Sequence, residues 1–183
     1  MRTTRFSSVL FLALVLYGQA AIAAVGRDPY VHFFNETWGN FQEELVKARE
    51  EGKKGIMLFF EIDICPFCHR MKRTVLNQPE VQEYYRKNFL IFSVDVEGDV
   101  EMVDFNGQII LQKDFAEKVN RVRATPVIMF YDLEGKPVVR YTGPTSGVQE
   151  FMWLGEYYVG GHYKNLRFTK YKRQKKKAAS QAK

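Results

Sequence analysis

The chain has 183 residues, 46% of them hydrophobic and 15% aromatic, and carries a formal charge of +6. That apolar content excludes a disordered chain, and about 160 residues beyond an N-terminal leader make one domain's worth of core. Cys65 and Cys68 are its only cysteines, which excludes a fold held together by a framework of disulfides.

Arg2 and Arg5 precede the apolar stretch Val9 to Tyr17, and Ala21-Ile22-Ala23 supplies small residues. This pattern predicts a signal peptide over 1–23, cleaved after Ala23 or Ala24. The apolar stretch falls far short of the ~20 residues that span a bilayer. The mature protein is therefore expected in an exported, oxidising compartment, periplasmic or equivalent. Charge is unevenly placed along it. Residues 24–163 hold sixteen Lys and Arg against twenty-one Asp and Glu, whereas residues 164–183 hold nine basic residues and no acid.

In chain order, Trp38, Phe41, Leu45 and Ala48 recur at helical spacing and predict an amphipathic helix from Thr37 to Glu51, stopped by Gly52. Gly55 to Ile62 is apolar without alternation, as in a strand buried on both faces. A helix from Pro66 to Leu76 follows, with proline at its first position, then another from Gln78 to Arg86. Phe89 to Val96 is the next strand. Val100 to Phe105 and Gln108 to Leu111 predict a hairpin, closed by Asn106-Gly107 in a type I′ turn. A short helix over 114–119, strands over 126–131 and 137–141, and a helix over 149–158 complete the order. Phe151, Met152, Leu154 and Tyr158 are its expected core residues. Strands alternating with helices predict an α/β fold, a mixed sheet flanked by helices with an extra β-hairpin. The remaining segment, 164–183, reads as a basic, disordered tail. Its interleaved Leu166, Phe168 and Tyr171 leave open a weak contact with an anionic membrane surface. Nucleic acid is not an expected partner.

The chemistry lies in Cys65-Pro66-Phe67-Cys68, between a strand and a helix. Two thiols at that spacing close and reopen a small disulfide ring, which makes the pair a redox motif. Zinc takes four ligands in structural sites, and His32, His69 and His162 are not spaced as a second pair. A Cu(I) site on both thiolates, or a non-catalytic binding module with a stable disulfide, remains an open alternative.

Three features together resemble the thioredoxin superfamily: the strand leading into Cys65-Pro66-Phe67-Cys68 and a helix, Thr125-Pro126 before the strand Val127 to Tyr131, and the Asp132 to Lys136 turn followed by a strand, Gly143 and a last helix. The leading helix, Leu58-Phe59-Phe60-Glu61 and the hairpin resemble the SoxW-type exported thioredoxins. Asp63 to His69 together with Thr125 also resemble periplasmic disulfide isomerases. The resemblance implies a thioredoxin-like domain over 24–163, with Cys65 as nucleophile and Cys68 as resolving thiol. It also implies a cis Pro126 that, with Thr125 and Phe67, forms the substrate-binding surface. It departs from cytoplasmic thioredoxin at Ile64, where tryptophan is usual, and at Phe59, where a buried aspartate is usual; Glu61 and Asp63 are the candidate substitutes. His69 either tunes the thiolate or is an ordinary surface residue. The implied activity is disulfide reduction by a monomer, with no cofactor beyond the dithiol. Its partners would be disulfide-containing proteins and a membrane thiol-electron donor. Disulfide oxidation or isomerisation is the alternative direction.

Overall fold

The computed structural model describes residues 26–181, so the expected signal peptide lies outside the described residues. A short helix α1 (Pro29–His32), capped by the Asp28 side chain, precedes helix α2 (Phe41–Glu50). The period-based start at Thr37 is corrected: Gly39 takes a left-handed conformation (φ 81°), and Asn40 caps the helix instead. Asn40 Oδ1 accepts from the Gln42 and Glu43 amides, while its Nδ2 donates to Glu43 Oε1 at 2.8 Å. This reciprocal cap satisfies donors that would otherwise be orphaned. Trp38, left outside the helix, is fully exposed rather than in the core.

Strand β1 (Gly55–Glu61) leads into helix α3 (Pro66–Thr74), then helix α4 (Pro79–Asn88) and strand β2 (Phe89–Asp95). The hairpin follows as β3 (Glu101–Val103) and β4 (Ile109–Leu111). Its turn is not type I′, because only Gly107 has a positive φ (82°) and Asn106 does not. The Asp104 carbonyl accepts from the Gly107 amide, and the Asp104 amide donates to the Gln108 carbonyl at 2.9 Å. That pattern is a type I turn closed by a glycine bulge, and Asp104 Oδ1 reinforces it by accepting from the Asn106 and Gln108 amides.

A single turn α5 (Gln112–Asp114) widens into a π-helical turn over Phe115–Val119. Strands β5 (Val127–Tyr131) and β6 (Pro137–Thr142), then helix α6 (Val148–Val159), complete the predicted order. The main sheet runs β2-β1-β5-β6, with β1 parallel to β2 and antiparallel to β5. It is therefore mixed, and buried on both sides. Met57, Phe59, Ile91, Ile128 and Phe130 pack with α3, α4 and α6 on one face. Ile56, Leu58, Phe60, Phe92 and Met129 pack with α2 and the π-turn on the other. The helical layer is aromatic, with Tyr85 stacked on Phe151 at 4.2 Å between centroids.

The expected disordered tail is corrected by the structure. A 3-10 turn at His162–Lys164 leads into helix α7 (Phe168–Gln181), which packs on α6. One face of α7 carries Phe168, Tyr171, Lys172 and Lys175, and each finds a partner. Tyr171 is buried against Tyr157 and His162. Lys172 Nζ meets Glu150 Oε1 at 2.6 Å, and Lys175 Nζ meets Glu156 Oε2 at 2.8 Å. Charge alone suggested solvation; the spacing of these four residues against two α6 carboxylates produces docking. The same contact explains the core of α6. Phe151, Leu154 and Tyr158 are buried as expected and Met152 only half so, while Trp153 and Tyr157 are buried as well.

Two buried ion pairs hold the helices to the sheet edge. At the end of β1, Glu61 Oε2 accepts from Lys72 Nζ of α3 at 2.6 Å, and its Oε1 accepts from Ser93 Oγ at 2.6 Å. Lys72 also donates to the Tyr30 hydroxyl of α1 at 2.5 Å. Burial alone would lower the Lys72 pKa, but the bonds to Glu61 and Tyr30 prevail and raise it. On the other side, Glu150 of α6 is buried and binds Lys172, the Tyr141 hydroxyl and both donors of Ser146.

Burial alone would raise the Glu150 carboxyl, but the Lys172, Ser146 and Tyr141 donors outweigh it and hold its pKa at about 2, against 4.5 ordinarily. The stability this carboxylate adds is complete above 4.5 and is lost as pH falls through about 2. Glu150→Gln should therefore cost on the order of 2 kcal/mol at neutral pH. Urea unfolding should show the gap to the parent protein closing across that acid window. At the other pair, Glu61→Leu strands the Lys72 ammonium and should cost about 3–5 kcal/mol. The double variant Glu61→Leu/Lys72→Met should be more stable than that single variant, as read by guanidinium unfolding at neutral pH.

Candidate active site

The cysteines sit where β1 hands over to α3. All seven residues of β1 are buried and its two edges are paired, so the chain leaves the sheet through the short segment Ile62 to Ile64. Cys65 is then the N-cap of α3, with Pro66 in the first helical position, where a missing N–H costs nothing. Cys65 Sγ accepts from the Cys68 amide at 3.1 Å, using an N–H that the helix's first turn leaves unpaired. The two residues form a disulfide with their Cα atoms 5.3 Å apart. Cys68 is fully buried, whereas Cys65 retains 4% of its surface. Only Cys65 is within reach of a second molecule.

The surface beside Cys65 is apolar. Ile64 is 80% exposed and Phe67 50%, with the Arg70 guanidinium over the Phe67 ring at 5.3 Å. His69 donates Nε2–H to the Asp63 carbonyl at 2.5 Å, which commits the ring to the loop before the cysteines.

Thr125-Pro126 lies at the same sheet edge. Val127 pairs with Phe60, so Pro126 stands one step beyond, level with the point where the cysteine segment leaves β1. Ile128 and Phe130 lie on the cysteine face of the sheet, and Pro126 continues their alternation. The Thr125-Pro126 bond is cis, Pro126 is buried, and Thr125 is half-buried. Arg121 and Arg123 are exposed.

Sequence patterning missed what holds this loop. Arg140 of β6 donates to the Asn120 carbonyl at 2.5 Å and the Arg121 carbonyl at 3.2 Å, closing the π-turn where Arg121 turns left-handed (φ 52°). The Gly143 amide donates to the Pro126 carbonyl at 2.8 Å. Lys72 was also missed, although a lysine on the inner face of α3 opposite the lone acid of β1 was a readable signal. That pairing bears on the expected substitutes for an acid at position 59. Phe59 lies in the apolar layer with the cysteines, Glu61 has both oxygens engaged, and Asp63 is exposed. Among the described residues, no three His, Cys, Asp or Glu side chains converge.

This arrangement supports thiol–disulfide redox chemistry: a helix-capping cysteine bonded to a buried partner within a thioredoxin fold. A thioredoxin-fold protein from Helicobacter pylori is similar, with 23% identity, a TM-score of 0.57, and coverage of 69% of this chain and 82% of that one. DsbH oxidoreductase has 22% identity, a TM-score of 0.52, and coverage of 71% and 88%. A thioredoxin from Thermus thermophilus has 23% identity, a TM-score of 0.51, and coverage of 68% and 85%. At these identities the likenesses concern the fold. No curated protein matches the sequence significantly. The family model for the thioredoxin-like domain matches residues 41–158, from α2 through the cysteine helix and Pro126 to the last turn of α6. The chain belongs to the thioredoxin-like domain family.

Proposed function

We propose that the protein is an exported disulfide reductase that acts through Cys65 and Cys68 and is recharged by a membrane thiol-electron donor. Export rests on the sequence pattern of residues 1–23. The direction of electron flow rests on one observation, the scarcity among the described residues of groups that stabilise a Cys65 thiolate. A strongly stabilised thiolate favours the dithiol and makes an oxidant; a weakly stabilised one makes a reductant. Here one amide, that of Cys68, reaches Cys65 Sγ, and Pro66 has no N–H to add. His69 donates to the Asp63 carbonyl, and the buried ammonium of Lys72 is balanced by Glu61. The resemblance to SoxW-type exported thioredoxins supports the same direction.

In the proposed sequence the Cys65 thiolate attacks a substrate disulfide, forming a mixed disulfide and releasing the first substrate thiolate. Cys68 then attacks Cys65 Sγ. The mixed disulfide breaks, the second substrate sulfur leaves, and the Cys65–Cys68 disulfide re-forms. Two electrons have passed to the substrate. Two electrons from the membrane donor restore the dithiol. Ile64 and Phe67 would receive the apolar side chains flanking the substrate cysteine, and Thr125 with Pro126 would support its backbone.

Equilibration with dithiothreitol or glutathione redox buffers should give a reduction potential towards about −270 mV; a value near about −120 mV would overturn the reductase direction. The order of the thiols is tested separately. Cys68→Ser should accumulate mixed disulfides through Cys65 with exported disulfide proteins, and Cys65→Ser should capture none. Failure to capture any partner, together with stoichiometric copper or zinc on the purified parent, would indicate a metal-handling protein instead.

A further inference from the structure

Helix α7 is fixed to the body by one face and offers another to solvent. Phe168, Tyr171, Lys172 and Lys175 face α6 and the sheet edge, while Lys170, Arg173 and Lys177 are all exposed. Spaced three and four residues apart, these three form one stripe on the side away from the docked face. Arg167 and Lys176, also exposed, flank it. Lys172 and Lys175 are committed to Glu150 and Glu156, whereas none of the stripe residues forms an ion pair among the described residues. No Asp or Glu follows Glu156 in the sequence, while residues 24–163 carry more acid than base. Basic charge is thus segregated onto one helix docked on a mildly acidic body.

We propose that this stripe is a docking surface for the anionic headgroups of a lipid bilayer. From Lys170 to Lys177 the helix rises about 10 Å, so three cations lie in a straight row that a plane of headgroups can meet at once. Gln174 and Ala178 lie between and beyond them, so the outer face offers no large apolar side chain for insertion. Binding would be peripheral, electrostatic and sensitive to salt. The docked face gives the contact an orientation. Lys172 holds Glu150, Glu150 holds Ser146, and the same loop reaches Pro126 through the Gly143 amide. A bilayer held at the outer face of α7 would thus set the attitude of the substrate-supporting edge, rather than merely retain the protein on a flexible tether. Access to a membrane follows from the export reading, but the surface is independent of the direction of electron flow.

The test is sedimentation of the full chain with vesicles of phosphatidylcholine containing roughly 30% phosphatidylglycerol, beside vesicles of phosphatidylcholine alone. The neutral vesicles measure any contribution from the apolar leader. Each basic residue near an anionic surface is worth about fivefold in partition, so Lys170→Gln/Arg173→Gln/Lys177→Gln should lower partition to the anionic vesicles about a hundredfold. The parent's excess over neutral vesicles should collapse on raising salt from about 0.05 to about 0.5 M. Insulin reduction in solution should be the same for parent and variant, which separates this surface from the dithiol chemistry. Equal partition of parent and variant on anionic vesicles would overturn the proposal. So would tighter binding of the stripe to a duplex oligonucleotide than to the anionic vesicles at matched salt, since that would assign it to nucleic acid.

Discussion

Strand β1 is buried at every position and paired along both edges, and the position of the thiols follows from that. Its backbone groups are committed to β2 and β5, so the chain can turn only beyond Glu61. The next helix must begin within a few residues, and its first unpaired amides need an acceptor. Cys65 supplies one through its sulfur. The same hydrogen bond that ends the loop therefore points a donor at the reactive atom. The neighbouring strand is constrained in parallel: β5 pairs with β1 up to Val127, and Pro126 is delivered to the edge from which Cys65 departs. The site is two strand ends, aligned by register.

Register alone does not fix the elements that leave the sheet, and the two ion pairs do this from opposite sides. Glu61 and Lys72 join the end of β1 to the inner face of α3, with Tyr30 bringing α1 over the pair. Glu150 ties α6 and α7 to the loop that carries Gly143 to the Pro126 carbonyl. Both carboxylates accept from two or more donors. That satisfaction makes their burial tolerable, since a buried carboxylate with an unfilled oxygen would oppose the fold. Arg140 does similar work for carbonyls, filling the two that the π-turn leaves at Asn120 and Arg121.

Much of this was legible because it is local. The unbroken apolar run of β1, the Cys-x-x-Cys with proline at the helix start, and Thr125-Pro126 before another apolar run each carry their meaning within a few residues. The errors came where a distant partner or a competing local bond decided. Trp38 fits the helical period of Phe41 and Leu45, but the left-handed Gly39 and the Asn40 cap start the helix three residues later. Asn106-Gly107 suits a type I′ turn, but Asp104 accepts from the amides around it and stabilises the bulged form. Helix α7 looked like solvated charge because its partners Glu150 and Glu156 belong to another helix. Composition cannot distinguish six basic residues in water from two paired and four that form no ion pair among the described residues.

Phe59 has a consequence for the proposed chemistry. An acid there would sit in the same apolar layer as Cys68, positioned to take its proton as it attacks the mixed disulfide. This chain has a phenyl ring at that position, and Cys68 is fully buried. Glu61, two residues on and on the same face, already accepts from Lys72 and Ser93, so protonating it would disrupt a buried ion pair. The departing substrate sulfur, whose thiol has an ordinary pKa of ~8.5, is a base released in the same step. Transfer of the Cys68 proton to that sulfur keeps charge from accumulating in the apolar layer. It also makes the resolving step depend on the substrate's own basicity, which a protein carboxylate would otherwise mask. On this account the substitution at position 59 makes the enzyme more sensitive to which disulfide it reduces, without altering the order in which its two thiols act.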